Sequence, residues 1–503
     1  MDYQLLLEHF NRTHSNHHEQ TGWSAQRRLH ECLRSAIRHG SLPPGTKLQS
    51  SRALAQELKV ARNTVVYAYE QLATEGYLRT DSRGSFVTSI AIDQSAPTQV
   101  SRVGKVSTMS KPVSGLSRRA QSLMPFPTSA ELSSGFAPGV PSLADFPVTL
   151  WRRMLDRTWC ALGTEQLGYA GAAGELSLRT AIANHLRASR GTDCDANQIF
   201  ITEGTQSSLD LCARAFADVN DKVWLENPGY SGAHTAFRMA QLNTIGIKVD
   251  ADGIAPSASD WLRHTPKLIY VTPSHQYPIG SVLGLARRIA LILQAKAHGA
   301  LIIEDDYDSE FRHDGPPLAA MQGLMPDAPV LYLGTFSKTM FPALRLGYIV
   351  VPKHLIESFA VLVAKSTLRG RAADQLCLAE FINSGQFGLH LRRMRRLYRQ
   401  RRDALVAALE QHFADLGSIH GDSAGMHLAL RFHSSLIDDV SVSQQALTKG
   451  IVAPALSHYS VGSRAHGWHG LLLGYAQVPV EQISPLVQKL AVIVRKAAQQ
   501  HGK

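Results

Sequence analysis

The chain has 503 residues, of which 44% are hydrophobic and 18% are charged, so a globular protein of two or three domains is expected. Its five cysteines are scattered and form no C-x-x-C pair, and its 22 histidines show no H-E-x-x-H or comparable spacing. These features exclude a disulfide framework, disfavour a metal site and favour a reducing, cytoplasmic compartment. The N-terminus lacks a secretory signal and no uncharged apolar run reaches the roughly 18 residues of a membrane span, so no membrane association is expected.

The positive charge is concentrated near the N-terminus. The net charge is +11, and residues 1–130 hold 16 Lys and Arg against 9 Asp and Glu, whereas the rest of the chain holds 36 against 32. A basic excess in the first quarter indicates a polyanionic partner for that part of the chain.

Residues 20–88 predict a helix-turn-helix followed by a wing. In "SSRALAQELKVARNTVVYAYEQLATEGYLRTDSRGSFV", a helix capped by Ser50 or Ser51 precedes a tight turn. A second helix is expected from Arg62 to about Glu75, before two short strands. This arrangement is typical of DNA-binding domains in which the start of the second helix enters the major groove.

The second helix and the wing carry side chains suited to DNA. Arg can contact guanine with two hydrogen bonds and Asn can contact adenine, while further cations hold phosphates. A solvated helix face is the alternative for any one of these residues, but the whole arrangement favours double-stranded DNA. The predicted DNA-binding residues are Arg52, Arg62, Asn63, Thr64, Tyr67, Arg79 and Arg83.

The stretches "SAIRHGSLPPGTKLQSSRALAQEL" and "ARNTVVYAYEQLATEGYL" make residues 20–88 resemble a GntR-type winged helix. Gln49 stands where that family usually has proline before the Ser-Arg pair. We expect this difference to loosen the loop slightly and to leave DNA binding intact. Residues 89–130, rich in Ser, Thr and Pro, are predicted to be a solvated linker.

Residues 131–500 alternate between apolar, strand-like runs and helical patterns. The runs "QIFIT", "KVWLE", "KLIYVT", "ALIIEDD" and "VLYLGT" predict an α/β domain whose mostly parallel sheet is covered by helices on both faces. Ligands in such sheets bind beyond the carboxyl ends of the strands, where this chain places several polar motifs.

The motif "GTFSK" places Lys338 after one of these strands, and its companions meet the needs of pyridoxal 5'-phosphate (PLP). Lys338 would form a Schiff base, Asp305 would bind the pyridine nitrogen, and Tyr307 would bind the phenolic oxygen. Asp306 and Asp308 are the structural alternatives in the same acidic cluster. The helix start in "ITEGTQSSLD" would hold the phosphate with backbone N–H groups. The remaining predicted cofactor residues are Gly204, Thr205 and Gln206 at this helix start, Ser337 and Arg345 on the phosphate, and Tyr230 on the ring.

Residues 131–500 resemble fold-type I aminotransferases. With the N-terminal domain, the whole chain resembles MocR-type regulators, in which a GntR winged helix precedes an aminotransferase-like domain. The resemblance rests mainly on "TPSHQYPIG", "IIEDDYDSEF", "YLGTFSKTMFPALRLGY" and "LRRMRRLYRQRRDAL". It implies that Tyr169 reaches the phosphate in the neighbouring subunit of a homodimer. Tyr277 stands where aminotransferases have the Asn of an Asn-Pro-x-Gly turn, which disfavours full transaminase turnover, and His275 and Gln276 just before it are assigned to the cofactor site.

Many relatives hold an effector carboxylate with an Arg near the stretch "ALSHYSVGSRAHGWHGLLLGYA". Here His458 aligns with that position and Arg464 lies nearby, and the two stay open as alternatives. The arginine run of residues 392–402 is expected to be a solvated or dimer-contacting helix face, with a second DNA-contacting surface as the alternative.

Two functions fit these features. The leading hypothesis is a PLP-dependent transcriptional regulator that senses PLP or an amino compound at Lys338. The alternative is an active aminotransferase that its N-terminal module tethers to DNA. We expect a homodimer that reads two half-sites, because one winged helix gives a small interface. A flexible linker of about 40 residues spans about 32–38 Å, similar to one DNA turn of about 34–36 Å.

Overall fold

The computed structural model describes residues 2–14, 23–89, 115, 117–121, 131, 134–168, 171–313, 315, 318–366, 370–461 and 467–500. The chain divides into two compact units, Met1–Lys111 and Pro112–Lys503. The boundary falls within the predicted linker of residues 89–130, most of which lies outside the described ranges. Among the described helices, none has the length and apolar character needed to cross a membrane.

The described helices and strands follow in chain order. The helices are α1 Tyr3–His14, α2 Ala25–Arg38, α3 Ser51–Glu57, α4 Arg62–Thr74, α5 Arg118–Gln121, α6 Val148–Ala161, α7 Leu176–Arg190, α8 Thr205–Phe216, α9 Ser231–Met239, α10 Ala258–Arg263, α11 Leu285–Ala297, α12 Phe336–Thr339, α13 Ile356–Ser366, α14 Ala372–Asn383, α15 Gln386–Phe413, α16 Asp439–Leu447 and α17 Val480–Gln500. The strands are β1 Leu78–Asp81, β2 Gly84–Val87, β3 Ile199–Thr202, β4 Lys222–Asn227, β5 Asn243–Asp250, β6 Gly253–Ile254, β7 Leu268–Val271, β8 Leu301–Asp306, β9 Val330–Thr335, β10 Gly347–Val350, β11 Gly417–His420, β12 His427–Phe432 and β13 Gly470–Gly474.

The N-terminal unit is a helix-turn-helix with an antiparallel β1–β2 hairpin, as predicted. Ser50 caps α3 by accepting a hydrogen bond from the Ala53 N–H, and the helices meet through apolar side chains that are fully buried. Gly76 follows α4 with a φ of +79°, a conformation that glycine adopts without strain. The apolar helix residues in this core include Leu33, Leu54, Val65, Ala68 and Leu72.

Helix α1 was not predicted from the sequence. It packs on the winged helix through Tyr3, whose backbone N–H donates to Oε1 of Glu57 at 2.9 Å. The same carboxylate accepts from Nε2 of Gln49 at 2.8 Å, and the Gln49 carbonyl accepts from the Tyr69 hydroxyl at 2.9 Å. Gln49 is therefore held at both its side chain and its backbone.

The C-terminal unit is built on an eight-stranded sheet with the order β3-β10-β9-β8-β7-β4-β5-β6. The strands from β9 through β5 in this order pair in parallel, which confirms the predicted mostly parallel sheet. Strand β10 runs antiparallel between β3 and β9. A separate three-stranded antiparallel sheet has the order β11-β12-β13.

Helices cover both faces of the large sheet because successive strand residues point to opposite sides. On β8, Ile303 packs in one cluster with Leu209 of α8 and Phe237 of α9. Its neighbour Ile302 packs in another cluster with Leu291 of α11. This alternation also sends the two carboxylates that end β8 to opposite faces, which decides the chemistry available to each.

The arginine run of residues 392–402, which lies in α15, is bound largely to the chain itself. Nε of Arg395 donates to the Glu310 carbonyl at 2.5 Å, and Nη1 of Arg402 donates to the Asp422 carbonyl at 3.0 Å. Others make comparable contacts, since Arg393 pairs with Asp145, Arg399 donates to the His313 carbonyl, and Arg401 donates to the Ala476 carbonyl. These bonds fix α15 on neighbouring loops, which disfavours a DNA-contacting role for the run as a whole.

Candidate functional site

The carboxyl ends of β8 and β9 bring the predicted lysine and acidic residues to one edge of the sheet. Lys338 lies in α12, directly after β9, and its Nζ donates to the Gly139 carbonyl at 2.5 Å. Burial lowers the pKa of the Lys338 ammonium, and the carboxylates of Asp308 and Asp305 oppose that shift. A lysine with a lowered pKa is more often uncharged at neutral pH and so more nucleophilic.

Asp305 is 3% exposed and has one carboxylate oxygen engaged. The Tyr270 hydroxyl donates to Oδ2 at 2.8 Å, whereas Oδ1 has no hydrogen-bond partner within the part of the chain that the structure describes. Burial raises the pKa of Asp305 to about 7, and the hydrogen bond from Tyr270 acts in the opposite direction. A buried carboxylate oxygen without a partner is costly, so this geometry suits a protonated ring nitrogen as the missing donor.

The neighbouring acids have different surroundings. Asp306 faces the other side of the sheet, where its Oδ2 pairs with Nη2 of the buried Arg190 at 2.7 Å and accepts from the Ser309 hydroxyl at 2.8 Å. Asp308 pairs with Nδ1 of His275 at 3.0 Å. Oδ1 of Asp306, like that of Asp305, has no partner among the described residues, but the Asp306 carboxylate is paired with Arg190 on the other face of the sheet and Asp308 is paired with His275. Of the three carboxylates, Asp305 is the one that forms no ion pair within the described structure.

Tyr307 lies beside the turn that follows β7. Its hydroxyl donates to the His275 carbonyl at 2.8 Å and lies 3.1 Å from Nδ1 of the same residue. Burial raises the pKa of Tyr307 well above its ordinary value, so the hydroxyl keeps its proton and can act as a donor. The structure thus places Tyr307 and His275 in direct contact, a pairing that the sequence alone did not reveal.

The predicted phosphate-binding residues converge at the start of α8. Gly204 precedes this helix with a φ of +86°, and a Cβ atom built there would lie 3.9 Å from both Cζ of Arg345 and Oγ of Ser337. The backbone N–H groups of the first helical turn, at Thr205 and Gln206, have no partner within a helix and suit an anion. The side chain of Gln206 instead donates to the Gly232 carbonyl at 3.1 Å.

Tyr230 lies between the two ends of this site. It precedes α9, and its ring meets that of Tyr277 edge-on with centroids 5.6 Å apart. Burial raises the pKa of the Tyr230 hydroxyl to about 12, with Asp305 acting in the same direction and Arg345 opposing it. Its ring is therefore within electrostatic reach of both the acid predicted for the ring nitrogen and the arginine predicted for the phosphate.

Gln276 is occupied by the turn that contains it. Its Nε2 donates to the carbonyls of Pro228 at 2.9 Å and Tyr277 at 2.7 Å, and its Oε1 accepts from the Ile279 N–H at 3.1 Å. The Gln276 side chain therefore supports the turn, and its assignment to the cofactor stays a prediction.

Of the two predicted effector residues, the structure describes His458. His458 is exposed, whereas the next residue, Tyr459, points inward and places its hydroxyl 3.3 Å from that of Tyr277. Arg464 and Tyr169 lie outside the described residues.

The predicted DNA-binding residues form a mostly exposed surface of the N-terminal unit. Arg62 is the first residue of α4, and its Nε lies 3.4 Å from the Ser51 hydroxyl at the start of α3. Arg52, Asn63 and Tyr67 are also exposed, but the structure buries Thr64, which is 7% exposed. Thr64 is therefore turned towards the core, because it lies on the apolar side of α4, and its side chain is not available to a base.

The wing presents two exposed arginines around one acid. The side chains of Arg79 and Arg83 are 70% and 77% exposed, and each lies near Asp81, at 3.9 Å and 3.3 Å respectively. Lys47, which was not predicted, is exposed and lies over the ring of Phe86 on β2, with Nζ 5.9 Å from the ring centroid. It adds a third cation to the wing that only the tertiary contact between the α2–α3 loop and β2 reveals.

Comparisons with known proteins identify the family. Residues 136–490 match the family model for aminotransferase class I and II, and residues 25–87 match that for bacterial regulatory proteins of the gntR family. "Probable rhizopine catabolism regulatory protein MocR" of Rhizobium meliloti is 39% identical over 453 residues, which cover 90% of each chain. The chain belongs to the MocR-type regulators.

Other similar proteins agree with this membership. The "HTH-type pyridoxine biosynthesis transcriptional regulator PdxR" of Corynebacterium glutamicum is 34% identical over 467 residues, which cover 92% of this chain and 93% of that protein. Among solved structures, the multiple substrate aminotransferase of Thermococcus profundus has a TM-score of 0.68 at 24% identity and covers 76% of this chain and 98% of that one. This likeness shows the fold-type I aminotransferase fold.

This MocR-type regulator is therefore a PLP-dependent transcriptional regulator with an aminotransferase-like domain fused to a DNA-binding domain. Its own residues fit PLP on two independent features. Oδ1 of Asp305 is a buried acceptor without a described partner, and the space at Gly204 is bordered by Ser337 and Arg345. The first suits a ring nitrogen and the second suits a phosphate.

Proposed function

We propose that this regulator senses PLP, or an amino compound that reacts with it, through Lys338, and that occupancy of this site changes its affinity for an operator. The observation that carries the proposal is the unpartnered Oδ1 of the buried Asp305, at the same sheet edge as Lys338. The regulation follows from differential affinity, because a ligand shifts an equilibrium only when it binds one arrangement more tightly than another.

The residues of the cofactor site have distinct roles in this proposal. When bound, PLP supplies a carbonyl carbon that reacts with primary amines and a ring that withdraws electrons. Lys338 provides the amine, and its lowered pKa favours the uncharged, reactive form. Asp305 would accept a hydrogen bond from the protonated ring nitrogen, and Tyr307 would donate a hydrogen bond to the phenolic oxygen. Ser337, Arg345 and the first N–H groups of α8 hold the phosphate, with the arginine able to bind it through two parallel hydrogen bonds.

The effector is proposed to be a primary amine or PLP itself. A primary amine would compete with Lys338 for the same carbonyl carbon. The Lys338 amine would then be released from that carbon, while PLP would stay bound through its other contacts. The names of two relatives are compatible with these alternatives, since one refers to rhizopine catabolism and the other to pyridoxine biosynthesis. His458 and Arg464 remain the proposed contacts for any carboxylate on the effector.

The operator is proposed to be read by a homodimer through two winged helices. The exposed Arg62 and Asn63 at the start of α4 suit base edges, whereas Arg52, Arg79 and Arg83 suit phosphates. The resemblance to fold-type I aminotransferases supports the dimer, because Tyr169 is expected to complete the partner's site. Two half-sites then supply the interface area that one small domain lacks.

A turnover assay separates this proposal from a tethered aminotransferase. The PLP-loaded protein is mixed with candidate amines, and the visible spectrum and the release of carbonyl product are followed together. A regulator gives a spectral change with at most one equivalent of product, and the same amine alters operator binding. Continuous product formation with no effect of the amine on operator binding would support the tethered enzyme instead. In the same assay, Lys338→Ala removes the proposed reactive amine. Its control is Lys353→Ala, which removes an exposed lysine of the same unit.

A further inference from the structure

A buried cluster next to Tyr307 has no role in the proposal above. His275, Asp308 and His427 are each 1% exposed, and their ligand-type atoms all lie within 4.8 Å of one another. Nε2 of both histidines has no hydrogen-bond partner among the described residues. The imidazole rings of His275 and His427 lie 4.6 Å apart, and the ring of His427 is parallel to that of Tyr307 with centroids 6.5 Å apart.

A metal ion is the first ligand to consider for such a cluster, and the distances disfavour it. Zinc binds nitrogen and oxygen ligands at about 2.0–2.2 Å in a tetrahedron, which places ligand atoms about 3.3 Å apart. Here Nδ1 of His275 and Oδ2 of Asp308 are 3.0 Å apart, a hydrogen-bond distance that is shorter than the spacing of two zinc ligands. His427 also forms a hydrogen bond with the Pro278 backbone.

The hydrogen bonds instead identify which nitrogen of His275 carries a proton. Asp308 is a buried carboxylate at 3.0 Å from Nδ1, so a proton on Nδ1 satisfies both groups. The assignment of a proton to Nδ1 does not depend on Nε2, which has no partner among the described residues. A protonated Nδ1 cannot accept a hydrogen bond, although the Tyr307 hydroxyl lies only 3.1 Å away.

We propose that Asp308 holds His275 in the Nδ1–H form, so that the imidazole does not compete for the Tyr307 hydroxyl proton, which then passes between the His275 carbonyl and the phenolic oxygen of bound PLP. Asp308 and His275 are thus positioning residues that act through Tyr307. This inference rests on the proposed role of Tyr307 at the cofactor. The same logic explains how a buried Asp fixes the tautomer of a catalytic His in other enzymes.

The packing around His275 supports a fixed ring. A Cβ atom at Gly425 would lie 2.3 Å from Nδ1 of His275 and 2.4 Å from Oδ2 of Asp308, so only glycine leaves room for this pair. On the other side, a Cβ atom at Gly280 would lie 2.9 Å from Nε2. The backbone therefore encloses the imidazole from two directions and leaves it no space to rotate away from Asp308.

Several ionisable groups face this pair. Burial lowers the pKa of His427 well below its ordinary value, with further lowering by His275 and Lys338, so His427 is neutral. Asp308 is the acidic group that contacts Nδ1 of His275 directly. The other ionisable groups around the pair are Asp305, Tyr307, Glu310, Tyr277, Lys338, His427 and Tyr475.

The test measures the pH midpoint of the visible absorption change of bound PLP in the full-length protein. Tyr307→Phe removes the hydrogen-bond donor to the negatively charged phenolic oxygen. Bound PLP then holds its titrating proton more tightly, and the midpoint rises by about 1–2 pH units. Asp308→Ala should raise the midpoint in the same direction, because no side chain at position 308 then holds a proton on Nδ1 of His275, which can accept from Tyr307. Adding His275→Ala to Asp308→Ala should return the midpoint towards that of the wild type, because the competing acceptor is gone.

A purely structural role for Asp308 predicts the opposite result, because a second lesion in the same cluster would move the midpoint further from that of the wild type. Ser309→Ala is the matched control, since Ser309 binds Asp306 on the other face of the sheet and should leave the midpoint unchanged. An unchanged midpoint in Asp308→Ala would overturn the inference, as would one equivalent of metal in the wild type that His275→Ala loses. A wild type without a visible PLP band would contradict the proposed function at Lys338. That result is different from an unchanged midpoint, so failure of the proposed function can be distinguished from failure of this inference.

Discussion

The cofactor edge and the DNA-binding surface use charge in opposite ways. At the cofactor edge, Asp305 is 3% exposed and one of its oxygens has no described partner. On the wing, the side chains of Arg79 and Arg83 are 70% and 77% exposed and share one nearby acid. The first arrangement is costly until a specific ligand arrives, whereas the second costs little because water solvates the charges.

This difference explains why one region can serve as a sensor and the other as a reader. A buried site selects one kind of ligand, because only a hydrogen-bond donor in the right position offsets the free-energy cost of its buried, unpaired acceptor. An exposed cationic surface attracts any duplex and loses affinity as salt rises. Discrimination between DNA sequences must then come from a few side chains that reach base edges, and Arg62 and Asn63 are the proposed ones.

Lys338→Ala should cause the largest change, because it removes the only covalent link proposed for the cofactor. The wild type should carry a PLP adduct that borohydride reduces and fixes to the protein, and the variant should carry none. The control Lys353→Ala should keep it. Peptide mapping checks the position, and label found on another lysine of the variant would contradict the assignment.

Asp305→Asn should weaken PLP binding by about 10–100-fold, because a charge-assisted hydrogen bond to the ring nitrogen is lost. Equilibrium titration of PLP measures this loss. Asp306→Asn breaks the buried pair with Arg190 on the other face and should instead destabilise the fold by about 3–5 kcal/mol, read from denaturant unfolding. Reversed results for the two variants would move the ring-nitrogen contact to Asp306.

The sequence predicted the strands and the edge where the site forms, because apolar runs followed by polar motifs mark strand ends. It did not predict that β10 inserts antiparallel between β3 and β9, since such pairing depends on contacts between distant segments. It also could not show that Asp308 and His275 are paired, because Asp308 lies beyond the regular alternation of β8. Tyr270, the partner of Asp305, had one available signal, a polar hydroxyl within the otherwise apolar run "KLIYV".

On the DNA-binding surface the same limit applies to single residues. Val65, Ala68 and Leu72 of α4 lie in the core, and Thr64, which was assigned to DNA, is buried with them. A residue near the edge of the apolar stripe is ambiguous from periodicity alone, because a small rotation of the helix decides its exposure. The unpredicted α1 adds to this core through Tyr3, outside the stretch that resembles a GntR domain.

Arg62→Ala should relax base preference and weaken specific binding by about 1–3 kcal/mol, as expected for a contact with two hydrogen bonds to guanine. Binding to the operator and to a random duplex, measured at the same salt concentration, checks this. Equal losses on both duplexes would show that Arg62 contacts phosphate and not a base.

Arg83→Ala should have the smallest effect of these variants, because one phosphate contact is lost and Asp81 already offsets part of the charge. Binding should weaken to a similar extent on all sequences, and the slope of log affinity against log salt should fall by about 0.9. A change in base preference without a change in this slope would contradict the phosphate assignment.

The central claim is that the cofactor site controls operator binding, and the affinity for the operator with and without PLP tests it most directly. The wild type should show a shift of about 5–150-fold, the usual range for coupling between two sites, and Lys338→Ala should lose or alter that shift. Lys353→Ala should behave as the wild type. Identical operator affinity for the wild type and Lys338→Ala, with and without PLP and candidate amines, would contradict the account.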